Sequence, residues 1–459
     1  MAAVFLCCAA VVQAQSGDCI VTGLNPTQLR SGGIAEKTGD VVIVCDGGTP
    51  TPKGQPVPTA NFLLTFNAPV TSRLLASGWS EALLLINEPS PSQQRVCGTP
   101  GGTVNLAGSC AIVSGGDLNS TYEGSAGHPN VFQGMVAGPN SLAWVGVPIN
   151  AGGSSEELVV RFTNLRLDVA SFGPISLNQF PVAVTATLST TGTMPAPVKN
   201  NPQQFIGQVQ DGFVSSASSP TQCAPQAATL ATLLGRRVAQ VDLLAVKGFP
   251  ASFKPRTAAP FVDDNTSPAP VNQDILGASI FFSETDFFNS TFPTLAGHGN
   301  LARAGLADQG TRIAVRIANA PPGVTLYSPV IVPASATACN LPGVARRIET
   351  NANGSGPFTA TPGDAAGLAP MVEQGGVLTA VYETLRVCAF VFGEQFDIPI
   401  FADAPSLGDA TAIVGLAPFG VEPKTSSLGP PPPPGNPPIP RFVLPTGPGL
   451  ALTPLVCQP

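Results

Sequence analysis

Two carboxylates one residue apart are the groups in this chain best placed for acid–base chemistry: Glu284 and Asp286, within Phe281-Phe282-Ser283-Glu284-Thr285-Asp286-Phe287-Phe288. In a strand, residues i and i+2 share a face, and glycoside hydrolysis uses two carboxyl groups a few ångströms apart, one as acid and one as nucleophile or base. A sugar cleft also needs Trp or Tyr, whose rings combine an apolar face with a polar edge. The chain has 2 Trp and 3 Tyr against 24 Phe, so the pair reads first as solvated edge acids. Asp263-Asp264-Asn265 sets three oxygen donors side by side. That makes it only a weak calcium candidate, because calcium loops space their ligands along a turn. The two histidines, His128 and His298, each occupy an Ala-Gly-His-x-Asn turn with no second histidine nearby. A metal site needs three or four converging ligands, so both read as loop histidines. Sequences of the type G-x-S-x-G, H-E-x-x-H and the phosphate-cradling glycine loop do not occur.

The cysteines say more. Cys7 and Cys8 lie in an apolar leader, and eight others (Cys19, Cys45, Cys97, Cys110, Cys223, Cys339, Cys388, Cys457) are dispersed behind it with no C-x-x-C spacing. An even, dispersed set behind an export signal points to disulfides formed outside the cytoplasm rather than to zinc or redox chemistry. Spacing does not fix connectivity. Proximity favours Cys97 with Cys110, Cys19 with Cys45 and Cys339 with Cys388, leaving Cys223 and Cys457 as the least certain pair. The leader is too short to span a bilayer. Val12 and Ala14 supply the small residues a signal peptidase recognises, so cleavage after Ala14 is expected, giving residues 1–14 as signal peptide.

Removing 14 of 459 residues leaves 445, too many for one ordinary core. Only 11% of the residues are charged, against roughly 25% in an average globular chain. Short runs rich in Val, Ile, Leu, Phe and Thr, broken by Gly, Pro, Asn and Ser, predict an all-β protein of two tandem antiparallel β-sandwich domains tied by disulfides. Strands are expected over Asp40–Cys45, Asn61–Phe66, Glu157–Phe162 and Val182–Leu188; the one helix candidate is Gln226 to Arg237. The domains are placed at 17–204 and 205–428, with a proline-rich C-terminal tail at 429–459. Polyproline II from Gly429 to Pro440 cannot join a sheet. The tail is therefore either a spacer or a segment that docks back, with Cys457 reaching Cys223.

Three short echoes recur in the same order and predict a duplication: Phe62–Phe66 with Asp242–Val246, Ala126-Gly127-His128 with Ala296-Gly297-His298, and Val160–Asn164 with Val315–Asn319. A formal charge of −7 without Lys or Arg clusters opposes nucleic acid and anionic membranes as partners.

The runs Asn61–Arg73 and Val160–Arg166, with the partial echo around Arg316, resemble segments of large secreted β-rich proteins of soil bacteria. That resemblance implies a bacterial, extracytoplasmic β-protein and carries over no site residue. Two functions follow from the sequence. The first is a non-catalytic extracytoplasmic or cell-surface protein with a structural or adhesive role, a surface or matrix ligand, no cofactor beyond the calcium candidate, and no membrane insertion after leader cleavage. The alternative is a secreted glycan-active hydrolase using Glu284 and Asp286.

Overall fold

Alternating burial runs along one strand after another. In Gln395–Ala402 the side chains of Phe396, Ile398, Ile400 and Ala402 are buried and those between them only partly so; in Val182–Gly192 the buried set is Val184, Ala186 and Leu188. This is the period-two signature of a sheet with one face in a core. The computed structural model describes residues 17–98, 110–175, 179–218, 237–256, 292–305, 307–335, 342–388, 393–404, 407–420, 438–445 and 449–452. These form an all-β protein. All four expected strands are found, and the single described α-helix is the turn Leu118–Thr121, begun by Asp117, whose carboxylate accepts from the Ser120 N–H. Of the helix candidate Gln226 to Arg237, residues 226–236 lie outside the described residues, and Arg237 directly precedes the strand Val238–Lys247.

The first half is one eleven-stranded sheet in the order Cys19–Leu24, Asp40–Gly47, Gly153–Thr163, Trp79–Ile86, Val131–Gly138, Ser141–Pro148, Thr59–Phe66, Val182–Gly192, Gln203–Gln210, Thr27–Arg30, with Leu74–Ala76 attached to Trp79–Ile86. Its two end strands are consecutive in sequence, joined by Asn25 and Pro26 alone. The sheet must therefore curl until its ends meet, and it does: Cys19 N–H donates to the Pro197 carbonyl and Gly39 N–H to that of Ile206. Within this sheet Cys19 is bonded to Cys45 on the neighbouring strand, and Cys97 is bonded to Cys110 across the edge of the same core.

The second half is a sandwich. A five-stranded sheet (Phe213–Ser218, Val238–Lys247, Gln395–Ala402, Leu326–Pro329, Leu368–Pro370) faces a seven-stranded one built on Val377–Arg386, Arg312–Ala318 and Thr411–Ala417. Leu243, Phe396 and Ile398 from the first meet Val315, Tyr382 and Val414 from the second in one core. The division expected at 204/205 falls inside Gln203–Gln210, all of which belongs to the first sheet; the chain enters the second at Phe213.

The echoes are local. Phe62–Phe66 and Val160–Asn164 share one sheet, whereas Asp242–Val246 and Val315–Asn319 lie in different sheets of the sandwich, so the echoed segments do not occupy equivalent positions. What recurs is turn chemistry. Asn164 and Asn319 both leave their strands with φ near +58°, at 58° and 57°, and Gly127 and Gly297 take the left-handed position at 86° and 79°.

The tail docks back. Phe442–Val443 pairs in parallel with Phe419–Gly420, and Leu450–Ala451 adds to Thr411–Ala417. Ile34 N–H donates to the Arg441 carbonyl and Val443 N–H to that of Gly32, so residues 439–443 are stitched to the first half as well as the second. Cys223 and Cys457 lie outside the described residues. Deleting residues 429–459 would strip Ile439, Phe442 and Leu452 from buried sites. The melting temperature should fall by roughly 5 °C or more on the usual cost of losing large buried side chains. An unchanged thermal transition would contradict this docking.

Candidate functional site

One carboxylate sits in the middle of a strand that is buried along its whole length. Glu81 lies in Trp79–Ile86, where Ala82, Leu84 and Ile86 enter the first core while Leu83 and Leu85 face Phe292, Leu295 and Leu301 of the second half. A charge in such a place survives only if it is fully partnered. Glu81 accepts from the Arg73 N–H at 2.7 Å and the Gly305 N–H at 3.0 Å, and Arg166 Nε stands 3.2 Å away. Arg166 also donates to the Gly305 carbonyl, and Arg73 forms a bidentate pair with Asp308.

Beside it, Arg30 and Glu36 form a second bidentate pair. Arg30 Nη1 donates to the Ser252 carbonyl and Thr311 Oγ1 of the second half, and the guanidinium lies 4.8 Å over the Phe442 ring. Arg441 completes the group. Burial, with Arg166 and Arg73 nearby, brings its pKa down to about 10, opposed by Asp168 and Glu81. Four arginines (30, 73, 166, 441) therefore meet four carboxylates (36, 81, 168, 308) in a neutral seam between the halves. On the far side, Glu383 repeats the Glu81 arrangement: it accepts from the Gly310 N–H, Arg256 and Arg312.

His298 packs against the start of the Glu81 strand. Its ring lies 3.9 Å from that of Trp79, and Gln133 donates to the His298 and Ser80 carbonyls, which turns Gln133 Oε1 toward His298 Nδ1 at 3.2 Å and makes that nitrogen the donor. Burial pushes its pKa below the ordinary value, favouring the neutral ring. His128 Nδ1 lies 3.1 Å from the Thr121 carbonyl, remote in role from His298. Among the described residues no group of three or more His, Cys, Asp or Glu could hold a metal ion. Glu284, Asp286, Asp263, Asp264, Asn265 and Cys339 lie outside the described residues; Cys388 is disulfide-bonded.

Charge drawn into the seam is missing elsewhere. Five adjacent strands, Val131–Gly138, Ser141–Pro148, Thr59–Phe66, Val182–Gly192 and Gln203–Gln210, contain no charged side chain. On the outer face Thr65 lies between Ser141 and Thr187, Leu63 between Ala143 and Ser189, and Thr185 opposite Phe205. Val145 is 37% and Phe205 42% exposed, and Phe180, just before Val182–Gly192, is 93% exposed. Two of the amides on this face, Asn61 and Asn67, are already engaged. Asn61 donates to Thr191 Oγ1 and accepts from the Gly146 N–H, and Asn67 donates to the Ala183 carbonyl and accepts from the Thr185 N–H. Sequence reasoning missed this face, though residues 169–198 run without a charge and so carried the signal.

No family model and no curated protein matches the chain. Solved structures similar to it include the C-terminal domain of the Streptococcus agalactiae AgI/II polypeptide BspA, at 8% identity over 87% of this chain and 95% of that one with a TM-score of 0.27. Another is the C-terminal domain of the Streptococcus pyogenes antigen I/II-family protein AspA, at 8% identity over 88% and 96% with a TM-score of 0.26.

Replacing Glu81 by Ala leaves the buried Arg166 without its carboxylate. The expected loss is about 3–5 kcal/mol in chemical denaturation, the cost of breaking a buried pair from one side. A loss under about 1 kcal/mol, the scale of exposed pairs, would show that the seam is solvated.

Proposed function

We propose that this chain is an exported, non-catalytic protein with a structural or adhesive role at or beyond the cell surface, and that its charge-free sheet face is the contact surface. The observation that carries this reading is the run of five adjacent strands without a charged side chain in a chain of formal charge −7. A solvated sheet face ordinarily carries Lys and Glu, which keep it wet and monomeric. Interface cores are depleted of charge because a charge brought out of water is costly unless it is paired. Here the dehydration cost is reduced further, since Asn61 and Asn67 already bond within the face.

Export is part of the same reading. It is supported by the leader expected at residues 1–14 and by the Cys19–Cys45 and Cys97–Cys110 bridges, which a reducing compartment would not maintain. Among the described residues no helix is long and apolar enough to cross a membrane. A bacterial source rests on the resemblance of Asn61–Arg73 and Val160–Arg166 to secreted proteins of soil bacteria.

The test is a glycan and protein array probed with the secreted form and with Leu63→Lys. Leu63 is half-buried at the centre of the face, so a lysine there folds with its ammonium in solvent. Binding to any array ligand should weaken at least tenfold, about 1.4 kcal/mol. Ligands bound equally by both proteins would place the contact elsewhere.

A further inference from the structure

We propose that His298 is an acid-sensitive latch: protonation of its ring releases residues 292–305 from the first half. Those residues are the grip of the second half on the Glu81 strand. Phe292, Leu295, Leu301 and Ala304 form one apolar cluster with Leu83, Leu85, Val96 and Val131, and the Gly305 N–H completes the donors around Glu81. His298 lies in the middle of this segment and is itself buried. Its ring packs on Trp79, its Nδ1–H is donated to Gln133 Oε1, and its carbonyl accepts from Gln133 Nε2. All three contacts cross from one half to the other.

The arrangement suits the neutral ring. Gln133 commits its amide N–H groups to the Ser80 and His298 carbonyls, which leaves Oε1 to take one ring N–H. A second ring proton, on Nε2, meets no protein acceptor among the described residues. No carboxylate stands ready to pair with the charge either. Glu81, the one acid on Trp79–Ile86, is held by the Arg73 N–H, the Gly305 N–H and Arg166. Arg73, just before Leu74–Ala76, is paired with Asp308. Leu74–Ala76 and Val131–Gly138 carry no charge, and the turn Leu301–Arg303 adds only an arginine. Burial thus removes hydration from an imidazolium without supplying a counter-charge, and the pKa lies below its ordinary value. The Trp79 face attracts a cation but offers no acceptor for the added N–H.

The direction of the response follows by linkage. Once undocked, the ring titrates near its ordinary value, roughly 6.5. As pH falls through that value the undocked segment binds more protons than the docked one, so acid weakens docking, and above it the latch holds in full. Histidine is the side chain whose ordinary pKa falls within the mildly acidic range, which makes this junction responsive where carboxylate pairs still hold.

The chain has only two histidines, so NMR of the full secreted protein with carbon-13-labelled histidine follows both rings over roughly pH 4.5 to 8, and His128→Gln assigns them. The His298 midpoint should lie at least about half a pH unit below the ordinary value, equivalent to about threefold weaker docking once the ring is charged. Hydrogen exchange read by mass spectrometry reports the release itself. Between about pH 7 and about pH 5, opening of residues 292–305 should rise at least about threefold in the natural chain relative to His298→Gln, whose amide does not titrate, while Gln395–Ala402 stays equally protected in both. Comparing the two proteins at each pH cancels the intrinsic pH dependence of exchange. A midpoint at or above the ordinary value would overturn the latch, and that reading needs no variant at position 298 to fold. Opening on acidification that is the same in both proteins would overturn it as well.

Discussion

The Glu81 carboxylate is the constraint on which the rest of the molecule turns. Its strand, Trp79–Ile86, is buried on both sides, with alternate residues serving the core of the first half and a cluster supplied by residues 292–304 of the second. A charge there is tolerable only with its full set of donors. Those donors come from far apart in the chain: the Arg73 N–H, Arg166 and the Gly305 N–H. Satisfying one side chain thus fixes the strand, the Arg166 segment and the entry of the second half in a single geometry. Arg30 does the same one layer away, holding Glu36 with one edge and Ser252 and Thr311 with the other, while Phe442 from the tail covers its face.

The seam also accounts for the surface. The chain has 21 basic and 28 acidic residues in 459, and eight of them meet across one internal junction, where they cancel. A second set, Glu383 with Arg256 and Arg312, and the fully buried pair Lys247 and Glu394, takes more charge inside the second half. Burial pulls the Lys247 pKa down, opposed by Glu394. Buried pairs of this sort add little net stability but specify one arrangement among many. The five charge-free strands between the Glu81 strand and the Arg30 strand are left with hydroxyls, amides and apolar side chains, and the proposed function depends on that residue set.

The strands were legible because burial on one face forces period two on the sequence, and Val182–Leu188 carries that pattern directly. The long-range polar contacts were not. The ion-paired Arg73 and Asp308 are 235 residues apart and the hydrogen-bonded Arg30 and Thr311 are 281 apart, and nothing local marks one Arg as the partner of a given distant group. A local clue did exist in Glu81, a lone charge within Trp79-Ser80-Glu81-Ala82-Leu83-Leu84-Leu85-Ile86. The echoes misled for a physical reason: an Ala-Gly-His turn and an Asn that ends a strand meet the same backbone need wherever they occur, so similar letters arise at unlike positions. The proline run separated the tail in sequence, but its last residues carry Ile439 and Phe442, whose burial decides where it goes.

If the seam and the tail join the halves as described, unfolding one half exposes the buried charges of the other, and neither half should melt alone. Scanning calorimetry of the full chain at neutral pH measures this directly. The account predicts one transition whose calorimetric and van't Hoff enthalpies agree. Two separate transitions, or a van't Hoff enthalpy near half the calorimetric value, would mean that the halves unfold independently and that the ionic seam does not couple them.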